Sequence, residues 1–526
     1  MSAVSPDIDL TEPHLGEMLA TAGLDVEYVR ADGNTLYFRD GDGTEVPVVD
    51  FAGGYGSLIF GHNHPRIVGA LRAALDAGTP VYAQFSRHST AHQVARRLNE
   101  ILRRDAGVTE PYFATFASTG AEAVEAAVKH AEFDRSLRAA ALVREIETHI
   151  EEAGEAVRAG EATVPDAAYA ALGVVPSAGE DGFEGLVAAV SRQNARTAAR
   201  PPVFVALEGS FHGKLVGSVQ LTHNAGFRTA FSALAAQAVF VPFDRPEALA
   251  KTVEKERARL WDVVLRDGRV EVEARDFPVF CAFLVEPIQG EGGIRALGAE
   301  TAAELQRIAA DVDCPIVVDE IQTGLGRTGA FLASAAIGLR GDYYVFSKSL
   351  GGGLTKSSVM LVREARYRKE FELVHSSTFA KDGLSSAVAL KVLDLLEEDD
   401  GRAYRRAAER GERITAMLRA VQGDFPEVVA DVRGRGLMLG FELRDQSDSP
   451  SELIAALARD GVLGYLVSGW LLRRHRIRAL PTASAVDTLR FAPSVDVSDA
   501  EIDQLEAGLR GICAILRDRD EQGLFS

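Results

Sequence analysis

The sequence predicts an α/β protein: a large, mainly parallel sheet with a second, smaller α+β lobe. Three observations carry that expectation. Short apolar runs rich in β-branched and aromatic residues recur through the middle of the chain, at 201–207 (PPVFVAL), 279–285, 315–319 (PIVVD) and 343–346 (YYVF). Such runs are the pattern of strands buried on both faces. Helical periodicity separates many of them, the alternation of a sheet built from βαβ units. Glycine-rich or polar turns follow the runs directly, and turns at the carboxyl ends of parallel strands line one ligand crevice.

In chain order, residues 12–22 predict a helix, followed by strands at 28–30, 35–39 and 46–51, with DGDG at 40–43 as a hairpin turn. A glycine-rich loop from 51 leads to a helix opening at Pro65. Residues 111–133 read as strand, turn and amphipathic helix. The Ala-, Glu- and Arg-rich stretch 134–200 has helical periodicity at 134–159 and 181–198, and is expected to be a solvated helical insertion. Strands follow at 201–207, 238–243 and 279–285, with a charged helix at 246–266 and a small hairpin at 266–274 between the last two. After the runs at 316–318 and 343–346 come a strand at 359–362, a charged helical linker at 363–372 and a loop at 373–384. Helices at 385–398 and 402–422 lead to a strand pair at 432–443 and helical residues 451–474. The basic stretch 470–478 reads as a surface helix. Residues 488–509 are a strand, a turn and a final helix, which Ser498 and Glu501 cap. The domain expectation is 1–85 as the N-terminal part of the small domain and 86–372 as the large domain, with insertions near 134–200 and 246–276. Residues 373–526 are then the rest of the small domain.

Composition narrows the function. Hydrophobic residues make up 47% and charged residues 25% of 526 residues, with mean hydropathy near zero, which is soluble globular composition. A net charge of −19 argues against nucleic acid or an anionic membrane as partner. The first ten residues lack the basic and apolar regions of a signal peptide, and no run approaches a membrane span. A cytoplasmic enzyme is the expectation. The three cysteines (Cys281, Cys314, Cys513) are widely spaced and read as buried thiols. His62 and His64 have no cysteine or carboxylate ligand near them in sequence, so no metal site is expected.

The chemistry concentrates between 315 and 353. Asp319 ends one apolar run, Lys348 follows the next, and Gly351–Gly353 come after. The chain holds nine lysines against 48 arginines, so a lysine beside a glycine-rich turn is informative; an arginine stays protonated and could not form an imine. An amine for a Schiff base and a carboxylate for a pyridinium nitrogen are the requirements of pyridoxal 5′-phosphate (PLP) chemistry. Thr119, Gly120 and Ala121 open a helix, where free N–H groups favour an anion; the simpler reading is an N-cap with Glu122 in the first turn. Gly324 to Gly329 also fits the dinucleotide fingerprint G-x-G-x-x-G. That rival, an oxidoreductase, needs a helix opening from those glycines and an acidic residue ending the next strand. The next strand instead ends in Phe346, near Lys348.

Several stretches together resemble the class-III (ornithine/putrescine/ω-type) PLP-dependent aminotransferases. They are GHNHP at 61–65, STGAEAVEAA at 118–127, FHGK at 211–214, EPIQGEGG at 286–293, VDEIQTGLGRTG at 318–329 and SKSLGGG at 347–353. HSSTF at 375–379, RGRGLMLGFEL at 433–443 and LRFAP at 489–493 complete the ordered set, which spans nearly the whole chain outside the insertions. The resemblance implies a fold-type I homodimer: a large domain around a mainly parallel seven-stranded sheet and a small domain from both chain ends. It implies that Lys348 carries the cofactor and shuttles protons, that Asp319 keeps the pyridine nitrogen protonated, and that Gln322 contacts the phenolic oxygen. Ile321 and Phe211 would sandwich the ring. His212 and Glu286 join the cofactor-binding set, and Thr119, Gly120 and Ala121 the phosphate cup, with Thr378 reaching in from the partner subunit. Glu291 and Arg490 match a pair that exchanges partners as dicarboxylate donors enter, and Tyr55 a substrate-pocket aromatic. Lys214 stands where carboxylate-binding members have arginine, which resembles putrescine-type enzymes. AKDGL follows HSSTF in place of GGNPL, and Thr355 and Lys356 replace the proline after the glycine triplet; both suggest a non-standard substrate mouth.

The activity implied is ping-pong transamination from L-glutamate or a related donor to an aldehyde or ketone, with pyridoxamine 5′-phosphate as the half-reaction form. The insertions resemble those of caerulomycin-type aldehyde transaminases from natural-product and antibiotic biosynthesis. Aminomutase, racemase or decarboxylase chemistry on the same fold, and a silent PLP-fold scaffold, remain open alternatives here.

Overall fold

The computed structural model describes residues 11–83, 85–173 and 182–525. Seven strands form the central sheet: β1 (Tyr112–Ala117), β2 (Val203–Leu207), β3 (Ala238–Val241), β4 (Phe280–Val285), β5 (Ile316–Asp319), β6 (Tyr343–Phe346) and β7 (Ser358–Arg363). Their order is β1-β7-β6-β5-β4-β2-β3, parallel throughout except for β7, which runs antiparallel between β1 and β6. Every residue of β4, β5 and β6 is buried, which is why these runs are continuously apolar rather than alternating. On one face Phe283, Ile316, Val318 and Phe346 pack with Val388 and Val392 of the helical span Gly383–Asp424. On the other, Val317, Tyr343 and Val345 pack with Ala123 and Ala127 of the helix Gly120–Arg158.

Both chain ends build the second lobe. Strands Tyr28–Asp32, Thr35–Arg39 and Glu45–Asp50 form an antiparallel meander, and the C-terminal strand Ile477–Arg478 adds in parallel to it, Ile477 opposite Val49. A second sheet pairs Val429–Arg435, Met438–Leu443, Thr488–Phe491 and Leu480–Pro481. Phe51 and Phe491 meet edge to face at 6.1 Å in the core they share. The C-terminal helix Asp499–Asp518, followed only by the short helix Glu521–Phe525, starts with the Ser498/Glu501 capping box that the sequence announces.

Three local expectations need correction. The charged helix ends at Glu256, and residues 258–266 are a strand paired with Arg269–Phe277. Asp267 and Gly268, both with positive φ (47° and 70°), make the tight turn that a two-residue hairpin requires, and cross-strand packing overrides the helical charge pattern. In the segment 363–372, Arg363 ends β7 and residues 364–370 are turns and irregular chain, with Arg366 drawn to Asp313 and Asp134; only the short helix Phe371–Val374 is helical. The helix Leu463–His475 is not a surface helix: Leu466, Val467, Trp470, Leu471 and Leu472 are buried, and its basic end Arg473–His475 reaches the surface.

The 134–200 stretch is also more than a solvated face. Gly120–Arg158 is one continuous helix of 39 residues, long enough to leave the sheet behind. Its far end, the short helix Asp166–Ala171, the helix Phe183–Ala198 and the hairpin share a core of Ala153, Tyr169, Leu186, Val190, Val263 and Val270. Asn194 closes the hairpin edge, accepting from Trp261 N–H at 2.7 Å and donating to its carbonyl at 2.8 Å. The two insertions are therefore one module.

Candidate active site

Because β1, β2, β4, β5 and β6 are parallel, the loops after them open on one side of the sheet, where the antiparallel β7 begins. Asp319 is the last residue of β5 and is buried. Its Oδ2 accepts from His212 Nδ1 at 2.8 Å and its Oδ1 from Ile321 N–H at 3.1 Å. Burial works against a charged imidazole, but the hydrogen bond and charge of Asp319 outweigh it and raise the His212 pKa. His212 Nε2 is buried with no protein partner.

Lys348 sits two residues beyond β6, in the left-handed region at φ 48°, a strained position for a side-chain-bearing residue. Protein surrounds its amine: burial, with the nearby charge of Arg490, pushes its pKa down to about 8 against the pull of Glu291, Asp319 and Glu286. Glu286 accepts from Phe211 N–H at 2.9 Å and Gly290 N–H at 3.1 Å, so it ties two of the loops together, and burial raises its pKa.

These groups converge on a cavity of about 350 Å³ lined by Gly120, Ala121, Phe211, His212, Lys214, Glu286, Glu291, Asp319, Ile321, Gln322 and Lys348. A second cavity of about 350 Å³ opens on the other side of Lys348 and Gly120. Ile321 and Phe211 both face the first space, where a ring could lie between them. Gln322 donates from Nε2 to the Tyr55 carbonyl at 3.0 Å. A Cβ at Gly290 would stand 1.6 Å from Gln322 Oε1, so any side chain there would push the Gln322 amide aside. Thr119 caps the helix, with its hydroxyl accepting from Glu122 N–H at 3.3 Å.

At the far end, Arg490 is 1% exposed and bonds Glu291 at 2.5 Å. The second Glu291 oxygen accepts from Ala483 N–H at 2.8 Å, and the arginine charge keeps the carboxyl pKa low despite burial. Tyr55 lies over Arg490, 4.9 Å from ring centroid to guanidinium carbon. Lys214 lines the cavity with its ammonium 3.9 Å over the Phe227 ring. Thr378 does not line the cavity of its own chain and is exposed.

Sequence reasoning named Tyr55 but missed three contributors around it: Asp50, Arg327 and the Ala483 backbone N–H. Tyr55 is presented by a left-handed turn in which residues 53–56 all have positive φ (53°, 57°, 57° and 88°). Asp50 anchors that turn: it accepts from Ala52 and Gly53 N–H, both at 3.1 Å, while His62 hydrogen-bonds it at 2.9 Å and the Arg478 guanidinium neutralises it at 3.1 Å. Arg327, fully buried, donates to the carbonyls of Leu437, Pro493 and Gly56, joining the loop after β5 to both second-lobe segments that reach the site. The Ala483 N–H carries no side-chain signal at all. Arg327 could have been found, since it stands inside GLGRTG; no helix opens from those glycines, which removes the dinucleotide reading.

A buried amine and a buried, histidine-supported carboxylate at the ends of adjacent parallel strands define a PLP-dependent enzyme of fold-type I. The orphaned His212 nitrogen, the cavity between Phe211 and Ile321, and the open helix start at Gly120 fit that cofactor. Residues 20–505 match the class-III aminotransferase family, and the chain belongs to it. It is 27% identical to the diaminobutyrate–2-oxoglutarate aminotransferase of Rhizobium meliloti over 483 residues, 88% of this chain and 83% of that one. It is 26% identical to the aminotransferase PigE of a Serratia species, covering 95% of this chain and 52% of that protein. Among solved structures it is similar to the ornithine aminotransferase of Toxoplasma gondii (TM-score 0.65, 21% identity, 94% and 91% covered). It is also similar to a PLP-bound amine transaminase from an uncultivated Pseudomonas species (TM-score 0.66, 18% identity, 98% of each). PLP is accordingly the cofactor and amino transfer the reaction class.

Proposed function

We propose that the chain moves an amino group by ping-pong from L-glutamate or a related amino donor to an aldehyde or ketone. The observation that carries this is Lys348: a buried amine whose pKa has fallen to about 8, facing a cavity that ends in the Glu291–Arg490 pair. PLP, when bound, supplies the electron-accepting ring. Asp319, oriented by Ile321 N–H and His212, holds negative charge where a pyridinium nitrogen needs it. Lys348 Nζ is the group that would hold the cofactor and, as a free amine, would take the proton from the donor carbon; its lowered pKa leaves a useful neutral fraction near neutral pH. Arg490 offers a fork for a substrate carboxylate when Glu291 turns away, and Glu291 covers it when the substrate has none. Phe211 and Ile321 keep water from both faces of the ring. Lys214, a point charge rather than a fork, favours a substrate without an α-carboxylate in one half-reaction, which suits an aldehyde acceptor of a biosynthetic pathway. Thr378 lies on the surface of its own chain, where the partner of a homodimer would meet it.

A panel of amino donors against aldehyde, ketone and keto-acid acceptors on the pure enzyme tests this. The expected result is glutamate-dependent amination of aldehydes with release of 2-oxoglutarate. Retention of the amino group in an isomerised or racemised product would overturn it in favour of aminomutase or racemase chemistry.

A further inference from the structure

The cavity on the outer side of Lys348 is lined by Ser57, Ser118, Thr119, Gly120, Ser347, Gly353, Thr355, Lys356 and Ser357. It contains the start of the helix Gly120–Arg158, where the cofactor's phosphate belongs on the reading above. That helix start is less favourable to a dianion than its sequence suggests. Glu122 accepts from Ser118 N–H at 2.7 Å and from Thr119 N–H at 2.9 Å. The cap therefore consumes two donors of the loop and brings a carboxylate to its edge. Among the described residues, the N–H groups left to an anion in this stretch are those of Gly120 and Ala121. A phosphate monoester carries about −1.5 to −2 charges near neutral pH, and a helix start supplies roughly half a positive charge. Lys348 cannot make up the difference, because its nitrogen is committed to the cofactor's carbonyl carbon. Of the residues lining this cavity, the other charged one is Lys356, exposed and flanked in the chain by Thr355 and Ser357, which also line it.

We propose that Lys356 is a cofactor-phosphate residue, supplying in the same subunit the cation that the Glu122-capped helix start lacks. This inference rests on PLP being carried by Lys348. Lys356 stands on the segment between the Lys348 turn and β7, so the chain that holds the ring also neutralises its phosphate. Its ammonium acts as a point charge, so arginine substitutes for it and alanine does not.

The experiment titrates cofactor-free enzyme with PLP, with pyridoxal, which lacks the phosphate, and with inorganic phosphate as a competitor, in wild type, Lys356→Ala, Lys356→Arg and Thr378→Ala. Binding is read by absorbance, and the Lys348 adduct is fixed with borohydride and mapped. Lys356→Ala is expected to weaken PLP about tenfold, the effect of losing one charge-assisted contact. It should also flatten the salt dependence and abolish phosphate competition, with pyridoxal binding unchanged; Lys356→Arg should retain most of the affinity. Unchanged PLP affinity in Lys356→Ala, with loss in Thr378→Ala alone, would assign the phosphate to the partner subunit and overturn the proposal. Equal loss of PLP and pyridoxal would overturn it too, as a general folding effect. Absence of any Lys348 adduct in wild type would instead sink the PLP reading on which it stands.

Discussion

Replacing Glu291 by Gln removes a carboxylate without removing its bulk, and strands Arg490 in a site where it is 1% exposed. Both carboxylate oxygens are in use, one by Arg490 at 2.5 Å and one by Ala483 N–H at 2.8 Å. An amide can keep the Ala483 bond through its oxygen, but its NH₂ then faces the guanidinium donor to donor. Breaking one side of a buried ion pair costs about 3–5 kcal/mol. The Tyr55 ring lies over Arg490 with or without the carboxylate, so it does not offset that cost, and a loss of about 3–5 kcal/mol is expected. Arg490→Met should cost a similar amount, since it leaves Glu291 buried and unpaired. The double variant has no stranded charge, and its cost should fall short of the sum by about 2 kcal/mol or more. Urea unfolding of the four cofactor-free proteins, followed by circular dichroism, completes the cycle. The pH dependence supplies a second check. Burial alone would raise the Glu291 pKa, but Arg490 holds it below the ordinary carboxylate value. The folded state therefore binds fewer protons than the unfolded one in the carboxylate range, and the contribution is present above the unfolded pKa of about 4.3. It is lost as pH falls through the lower folded value, so the gap between wild type and Glu291→Gln should be full at neutral pH and narrow in acid. Additive single-variant costs, or a gap independent of pH, would refute the buried-pair reasoning.

Further outcomes follow from the same geometry. In cofactor-free enzyme, labelling of Lys348 by an amine-directed reagent should rise with pH around a midpoint of about 8, and a midpoint near that of an ordinary lysine would contradict its burial. Asp319→Asn should lower turnover by about 10²–10³, the size of losing one preorganised electrostatic contact, while the borohydride-fixed adduct on Lys348 persists; unchanged turnover would remove Asp319 from the chemistry. Arg327→Lys replaces a fork that reaches three carbonyls with a single ammonium, and should destabilise the protein by about 2–3 kcal/mol in denaturant unfolding. A neutral result would mean that Arg327 does not brace the two lobes.

Much of the site was legible because its signals are local. Asp319 and Lys348 each follow an apolar run, and parallel strands put their carboxyl ends on one side without further information. The Ser498 cap and the DGDG turn are equally local, because each is satisfied within a few residues. The misread segments are those whose partners lie far off in sequence. Residues 258–266 carry a charge pattern compatible with a helix, and only the opposing strand 269–277 and the helix Phe183–Ala198 make them a strand. The buried face of Leu463–His475 depends in the same way on the helix Asp499–Asp518 and the N-terminal residues around Ala22.

The amino-acid sequence by itself determined the α/β class, the family and the residue types of the cofactor site, because these rest on runs, caps and motifs a few residues long. Tertiary structure decided what surrounds those residues. It gave Glu291 a second grip from the Ala483 backbone, set Asp50 beneath the left-handed turn that presents Tyr55, and buried Arg327 among three carbonyls. It also joined two insertions, separate in sequence, into one module. Apart from the local bonds of Asp50 to Ala52 and Gly53, each of these brings together segments tens to hundreds of residues apart. A backbone N–H or carbonyl has no identity in a sequence until the fold brings a partner to it.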